Sequence, residues 1–208
     1  MTLYLVDCVD NDSYAFREYP ELTANQRVHQ AIVPDMSGQS RSGLRRCEAC
    51  GELLDKWNES LEGFIVRKRK LDISSSYDGV TVVSVRFKSM YESTDLSGLV
   101  FCQLPDDPKF FAIRPERAVE YDAERRGTRF VKPCPQCGRY ESVVGATPVY
   151  LKPGAEIAAN EFVRTDLEFG SDDEKSPLLL CGNSAAMALR AANLEGLELE
   201  RLQEYVST

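Results

Sequence analysis

The sequence predicts an α+β protein in which a mixed or antiparallel sheet contains two related α/β units and a discontinuous site built from four cysteines. Three observations lead to this prediction. Strand-like segments outnumber helical ones, two Cys-x-x-Cys-Gly motifs lie far apart at 47–51 and 134–138, and a segment in the middle of the chain resembles the C-terminal one. We interpret residues 1–208 as a single domain with possible sub-units 1–110 and 111–208.

The composition is that of a globular protein. The 208 residues are 43% hydrophobic and 28% charged, and 25 basic against 33 acidic side chains give a net charge of −8. These values exclude disordered and fibrous classes, and no apolar run approaches the ~20 residues of a membrane-spanning helix. Because the residues from Met1 to Asp7 lack the basic start of a signal peptide, we expect a cytoplasmic location.

The N-terminal third is predicted to contain one strand and one helix before the first cysteine pair. Residues 2–8 alternate as a strand does. A helix is predicted over 22–32, because Thr23 can cap its start and Val28 and Ile32 share one face, and it ends before Pro34. Residues 35–46 have the composition of a loop. Four apolar residues that follow the first motif are spaced for one helical face, although a strand remains open; they are Leu53, Leu54, Trp57 and Leu61.

Two segments resemble each other. Residues 95–104 and 193–202 both read Asx-Leu-x-Gly-Leu-x-apolar-x-x-Leu. Each follows a segment that could be helical, over 80–91 and 184–192, and the second helix follows an apolar strand at 178–181. We therefore predict two related units of helix, glycine turn and strand.

Residues 117–152 are predicted to form antiparallel β structure, with the second cysteine motif on a hairpin. Turn signals separate the four expected strands, which are 118–124, 128–132, 140–144 and 148–151. Residues 165–177 are predicted to be an acidic loop.

The four cysteines of the two motifs, Cys47, Cys50, Cys134 and Cys137, have the spacing of zinc ligands. Two intervening residues let both thiolates face one ion, and four thiolates complete a closed tetrahedral site. A redox pair, two disulfides and iron–sulfur ligation remain open, although spacing and context favour zinc. Since 83 residues separate Cys50 from Cys134, a zinc-ribbon-like site of four cysteines would join distant parts of the chain.

The sequence predicts a protein that is not an enzyme. The single histidine, His29, lies in a predicted helix, and the chain contains no phosphate loop, dinucleotide fingerprint or serine-hydrolase motif. The acidic charge is concentrated at the C-terminal end, where residues 156–208 carry a net charge of −7. Such a surface attracts basic partners. The basic run Arg67–Lys70 could contact phosphates, but a solvated strand edge is favoured.

The widely separated Cys-x-x-Cys-Gly motifs, the stretch 162–170 and the closing unit 180–202 resemble the double-CxxCG motif family of myxobacterial type. This family includes Sit-type immunity proteins. The resemblance implies an immunity protein that binds and neutralises a cognate toxin delivered by cell contact, with a structural zinc ion.

Acidic residues are the candidates for contacting such a toxin, because they would attract a basic surface. The first choice lies in the acidic segment: Asp166, Glu168, Asp172, Asp173 and Glu174. Asp106 and Asp107 are a second choice. The alternative is a zinc-ribbon module for nucleic-acid or transcription-associated binding, which predicts a basic face near the cysteines. Arg45, Arg46, Lys132 and Arg139 flank the motifs, but the net charge of −8 makes nucleic acid the less favoured partner.

Overall fold

The structure, a computed structural model, describes residues 2–17 and 43–202. Within these ranges the chain forms eleven strands and three α-helices. The strands are β1 (Leu3–Cys8), β2 (Ile73–Ser75), β3 (Thr81–Ser84), β4 (Leu99–Gln103), β5 (Phe110–Pro115), β6 (Ala118–Val119), β7 (Arg129–Pro133), β8 (Tyr140–Val144), β9 (Phe162–Ser171), β10 (Ser176–Gly182) and β11 (Leu197–Arg201). The helices are α1 (Val85–Glu92), α2 (Ala123–Arg126) and α3 (Asn183–Ala192).

The strands form two sheets. The larger sheet has the order β11-β1-β10-β9-β8-β7, and β6 pairs with β9 in parallel. The smaller sheet has the order β2-β3-β5-β4 and is antiparallel throughout. The predicted α+β class with mixed and antiparallel pairing is confirmed.

The two predicted units have the same topology. In the first, the hairpin β2–β3 leads through α1 to β4, and β5 lies between β3 and β4. In the second, the hairpin β9–β10 leads through α3 to β11, and β1 takes the place that β5 has in the first. The predicted relationship between the units is therefore confirmed, with two differences. The second unit is completed by β1, and the helix predicted over 80–91 begins only at Val85 because residues 81–84 form β3.

The glycine turn of each unit forms a backbone hydrogen bond with the first strand of the other unit. The carbonyl of Ser97, in the first turn, accepts a hydrogen bond of 2.9 Å from the amide of Phe162, where β9 begins. The carbonyl of Glu195, in the second turn, accepts one of 3.2 Å from the amide of Ile73, where β2 begins. Each turn thus fixes the start of the other unit.

These contacts between the units require glycine at both turns. Gly98 and Gly196 have φ values of +91° and +84°, a region that other residues enter at a cost. A Cβ atom at Gly98 would overlap the carbonyl oxygen of Phe162, and one at Gly196 would overlap that of Ile73. The glycine in the repeated sequence is therefore explained by close approach of backbone to backbone.

Both units contribute to one core. Phe87 of α1, Leu189 of α3 and Phe162 of β9 are fully buried in the same cluster, together with residues of both sheets. A second cluster contains residues of β1, β6, β8, β9 and β10, and a third holds Phe16, Leu53 and Phe64 against the smaller sheet. The core therefore spans the two units.

Residues 53–61 do not form the helix that their spacing suggests, and at Leu53 the extended alternative is the one observed. That segment contains only a 3-10 turn at Lys56–Asn58, and Leu53 forms an antiparallel bridge with Arg46. Leu53 is 1% exposed whereas Leu54 is 38% exposed. Neighbouring side chains thus lie on opposite sides, as in extended backbone, and the helical spacing is coincidental.

The acidic loop predicted at 165–177 is also wrong. Strand β9 continues to Ser171, a 3-10 turn covers Asp172–Glu174 and β10 follows directly. Buried Thr165 and Phe169 show that the acidic residues here alternate with core residues. Residues 165–171 therefore belong to a strand with acidic side chains on one face, and the rest of the segment is the turn and the start of β10.

Other predictions have mixed outcomes. Strands at 2–8, 128–132, 140–144 and 178–181 are confirmed by β1, β7, β8 and β10. Residues 118–124 form only the short β6 and the start of α2, and 148–151 form only a bridge between Leu151 and Tyr121. Residues 67–70 form bends and a turn, not a strand edge. The helix predicted at 22–32, with His29, lies outside the described residues, and the division at residue 110 stays a prediction.

Candidate metal centre

The two Cys-x-x-Cys-Gly motifs fold into the same local structure, which we call the first and second knuckle (47–51 and 134–138). In the first, the amide of Cys47 donates to Glu52 O at 2.9 Å and that of Gly51 donates to Cys47 O at 2.8 Å. The second knuckle has the same two bonds: the amide of Cys134 donates to Arg139 O at 2.8 Å, and the amide of Gly138 donates to Cys134 O at 2.9 Å. The turns close at φ values of +77° and +73° at the two glycines.

Each knuckle lies at the end of a short antiparallel ladder. Arg46 pairs with Leu53 across the first, and Pro133 pairs with Tyr140 across the second. The second knuckle is thus the tip of the β7–β8 hairpin, as the sequence predicts. Because both ladders flank their cysteines in the same register, the knuckles present their sulfurs in the same way.

The four sulfur atoms form one cluster. Cys47 Sγ lies 3.8 Å from Cys134 Sγ, and Cys50 Sγ lies 3.7 Å from Cys137 Sγ. All four sulfurs lie within 4.8 Å of one another. A tetrahedral ion with metal–sulfur bonds of about 2.3 Å needs sulfurs about 3.8 Å apart. The four predicted ligands are therefore brought together as a group that can hold a metal ion.

Backbone amides favour the thiolate at one of the four sulfurs, that of Cys134. The N–H groups of Cys137 and Gln136 lower the pKa of the Cys134 thiol to about 6. A metal ion binds the thiolate, so this direction favours ligation at neutral pH. At Cys50 the amide of Glu52 has the same effect, but burial and the neighbouring thiols raise the pKa to about 12. Amides that donate to sulfur also orient the ligands, as outer partners do in metal sites.

The centre has a buried and an exposed side. Cys47 and Cys134 are 4% and 7% exposed. Cys50 is exposed and Cys137 is partly buried. Each knuckle thus contributes one sulfur to the interior and one towards solvent.

A buried ion pair lies beside the first knuckle. Lys175 Nζ is 2.9 Å from Glu52 Oε2, and both side chains are less than a tenth exposed. The same Nζ donates to Asp172 O at 2.8 Å and Glu141 O at 3.3 Å. Burial raises the pKa of Glu52, and the hydrogen bond from Lys175 opposes that shift. The pair attaches the knuckle to the turn between β9 and β10.

Two further cations hold the same turn. Arg46 NH1 lies 2.8 Å from Asp173 Oδ2 and donates to Gly51 O at 2.7 Å. Lys56 Nζ donates to the carbonyls of Asp78, Asp173 and Lys175 at 2.8, 2.7 and 2.6 Å. Sequence reasoning missed Glu52, Lys56 and Lys175, since their partners lie far away in the chain; a lone lysine within an acidic run was the only available signal.

Arg139 joins the two knuckles directly. Its NH2 group donates to Leu54 O at 2.6 Å, and its NH1 group lies 3.9 Å from Glu52 Oε1 and 3.7 Å from Glu168 Oε2. The knuckles are therefore connected through side chains as well as through the sulfurs.

The five first-choice acidic residues lie on one hairpin but differ in exposure. Asp166 is exposed and accepts a hydrogen bond of 2.8 Å from the amide of Tyr121. Asp173 is buried and forms an ion pair with Arg46. Asp172 is exposed, whereas Glu168 and Glu174 are partly buried. The structure thus leaves Asp166 and Asp172 facing solvent and places Asp173 in the interior.

The second-choice pair has structural partners. Asp107 is 3% exposed and accepts two hydrogen bonds from the Arg69 guanidinium at 2.6 and 2.8 Å. Asp106 accepts one of 2.6 Å from the amide of Gly63. Both carboxylates secure residues 63–69, so Arg69, in the basic run, is ion-paired.

The basic residues that flank the knuckles are ion-paired as well. Each lies within 4 Å of a carboxylate, in the pairs Arg45–Asp55 (2.9 Å), Arg46–Asp173 (2.8 Å), Lys132–Glu141 (2.8 Å) and Arg139–Glu168 (3.7 Å). Their charges are therefore partly neutralised within the protein.

A cleft of about 310 Å³ is lined by residues 117–120, which include β6, and by residues 152–156. The two basic side chains that line it are ion-paired: Arg117 lies 2.7 Å from Glu161, and Lys152 lies 3.1 Å from Glu120. None of the residues that line this cleft belongs to either knuckle.

Among the described residues, no helix has the length and apolar character needed to cross a bilayer. The chain matches no family model, no curated protein and no solved structure. Its function is therefore inferred from the four-cysteine centre and the side chains around it.

Proposed function

We propose that this protein is a cytoplasmic immunity protein that binds and neutralises a cognate contact-delivered toxin, and that its four cysteines hold a structural zinc ion. The protein acts by stoichiometric binding and not as an enzyme. The resemblance to the double-CxxCG family supports the toxin as partner, and the cysteine geometry supports the metal.

The observation that carries the structural assignment is the closure of the site. Four sulfurs occupy all positions of a tetrahedral ion, so no position is left for water or substrate. Cys47 and Cys134 come from distant parts of the chain and are both buried. An ion held there stabilises the fold and gives no Lewis-acid chemistry.

The turn beside the centre is the part best suited to contact a toxin. Asp172 is exposed and Glu174 is partly buried. Lys56 and Lys175 donate to backbone carbonyls of the turn, and Arg46 pairs with the carboxylate of Asp173. A surface that is already ordered loses little conformational entropy on binding. Its exposed carboxylates would attract a basic toxin and increase its association rate.

The nucleic-acid alternative is less favoured. The basic residues beside the knuckles are paired with carboxylates, and the whole chain carries a charge of −8. Binding to phosphates would have to break those pairs. A salt-dependent shift of duplex DNA with this protein would support the alternative.

The test is co-expression with the toxin candidate encoded beside this protein. The toxin alone should arrest growth, and co-expression should restore it. A pull-down should recover a complex, and the same sample should contain one zinc per chain. Growth arrest that persists, with no complex, would overturn the immunity function; a complex without metal would overturn only the zinc assignment.

Matched variants test the acidic surface. Asp172→Lys should weaken toxin binding and increase its salt dependence, since the exposed carboxylate would attract the toxin. Glu198→Lys makes the same charge change on β11, at an exposed site far along the sheet from β9. Equal affinities for the two variants would exclude the turn as the contact surface.

A further inference from the structure

The exposed side of the four-cysteine centre contains one sulfur from each knuckle. Cys50 and Cys137 lie 3.7 Å apart, and Cys50 is exposed while Cys137 is partly buried. The other sulfur of each knuckle, in Cys47 or Cys134, is buried. An oxidant that arrives from solvent therefore meets the two sulfurs that belong to different knuckles.

The knuckles are also held together without the ion. Arg139 of the second knuckle's ladder donates to Leu54 O at 2.6 Å. Glu52, which follows the first knuckle, is paired with buried Lys175 at 2.9 Å, and Lys175 also donates to Glu141 O on β8, the strand that follows the second knuckle. These contacts add to the sulfur cluster in holding Cys50 and Cys137 close to each other.

From these two observations we propose that the centre is a peroxide-sensitive modification site, in which oxidation forms a disulfide between Cys50 and Cys137. This proposal rests on the proposed function in one respect, namely that the four cysteines hold a zinc ion. It concerns a bond across the knuckles, whereas each Cys-x-x-Cys sequence alone would suggest a bond within one knuckle.

The chemistry uses hydrogen peroxide as the two-electron oxidant. The Cys50 thiolate attacks one peroxide oxygen, the O–O bond breaks, and a sulfenic acid and hydroxide form. The Cys137 thiolate then attacks that sulfur and displaces a second hydroxide. Two thiolates are oxidised and one peroxide is reduced. Cys47 and Cys134 would remain as the two free thiolates of the centre, too few to hold zinc in a closed site, so a bound ion would be released.

The bond across the knuckles is favoured because the buried sulfurs are shielded. A bond within the first knuckle needs Cys47, which is 4% exposed, and one within the second needs Cys134, which is 7% exposed. Both cysteines are fixed by backbone bonds of 2.8 to 2.9 Å. Oxidation would therefore replace a metal link between the knuckles by a covalent link, and the knuckles would stay joined.

The test uses the zinc-loaded full chain treated with substoichiometric hydrogen peroxide. Zinc content is measured before treatment, and release is followed with a chromogenic chelator. Free thiols are alkylated and the protein is digested under non-reducing conditions. Cleavage after Glu48 separates Cys47 from Cys50, and tandem mass spectrometry distinguishes Cys134 from Cys137.

We expect one zinc released per disulfide and a Cys50–Cys137 link as the main product. Cys102→Ser is the matched control, because Cys102 is exposed but lies outside the centre; it should leave zinc release unchanged. A main product linked within one knuckle, or zinc release without a disulfide, would overturn the proposal. Protein purified without metal would instead overturn the zinc assignment on which it rests, and toxin rescue is measured separately.

Discussion

Asp172 and Asp173 are adjacent carboxylates with different expected effects on stability. The Asp173 side chain is 8% exposed and lies 2.8 Å from Arg46 NH1, and its Oδ1 accepts a hydrogen bond of 3.4 Å from the amide of Leu53. Among the described residues, Nε and NH2 of Arg46 are buried and have no hydrogen-bond partner, so the pairing is through NH1 alone. Asp173 is therefore the group that compensates the buried guanidinium.

Asp173→Asn should destabilise the protein by about 3 kcal/mol. Breaking a fully buried ion pair costs about 3–5 kcal/mol, and the lower end applies because the Arg46 side chain is 21% exposed. Asp172→Asn, at an exposed position, should change the free energy of unfolding by less than about 0.5 kcal/mol.

Urea unfolding followed by tryptophan fluorescence measures both variants. With a slope of about 2–3 kcal/mol per molar urea, the Asp173→Asn midpoint should fall by about 1 M while that of Asp172→Asn stays in place. Metal content is measured on both samples, so that loss of the ion is not mistaken for loss of the pair. Equal midpoints at equal metal content would show that Asp173 does not secure the first knuckle.

Three further changes test the fold and the centre. Gly98→Ala should cost about 3 kcal/mol or more in urea unfolding, because its Cβ would overlap a backbone carbonyl; Gly154→Ala, which has a similar φ and open space, should cost about 1 kcal/mol. Cys134→Ser should lose the bound metal and unfold, as metal analysis and circular dichroism would show, and a folded variant would contradict the structural role. The Arg117 hydrogen bond lowers the pKa of Glu161, so this carboxylate adds stability above its unfolded pKa of about 4.3. The difference between the protein and Glu161→Gln, at most about 1 kcal/mol at pH 7, should therefore disappear as pH falls below 4, and a constant difference would contradict the ion pair.

Features with a local origin could be predicted from the sequence. The cysteine spacing and the glycine turn depend on a few consecutive residues, so the ligands and the repeated units are visible there. The Glu52–Lys175 pair joins residues 123 positions apart, and no sequence pattern marks such a contact. The spacing from Leu53 to Leu61 matches a helix because short apolar patterns fit helix and strand alike. The acidic stretch before Lys175 resembles a loop because its polar side chains conceal the buried residues between them.

The position of β1 has a consequence for biosynthesis. This strand is synthesised well before both of its neighbours, β10 and β11, which begin at Ser176 and Leu197. Its pairing therefore waits until these distant strands have been made, and β1 stays unpaired in the nascent protein until then. Contacts so distant in sequence slow folding and prolong the exposure of strand edges. The nascent chain should therefore depend on chaperones more than a protein of the same size with locally paired strands, and a C-terminal truncation that removes β11 should leave β1 without one of its two partners.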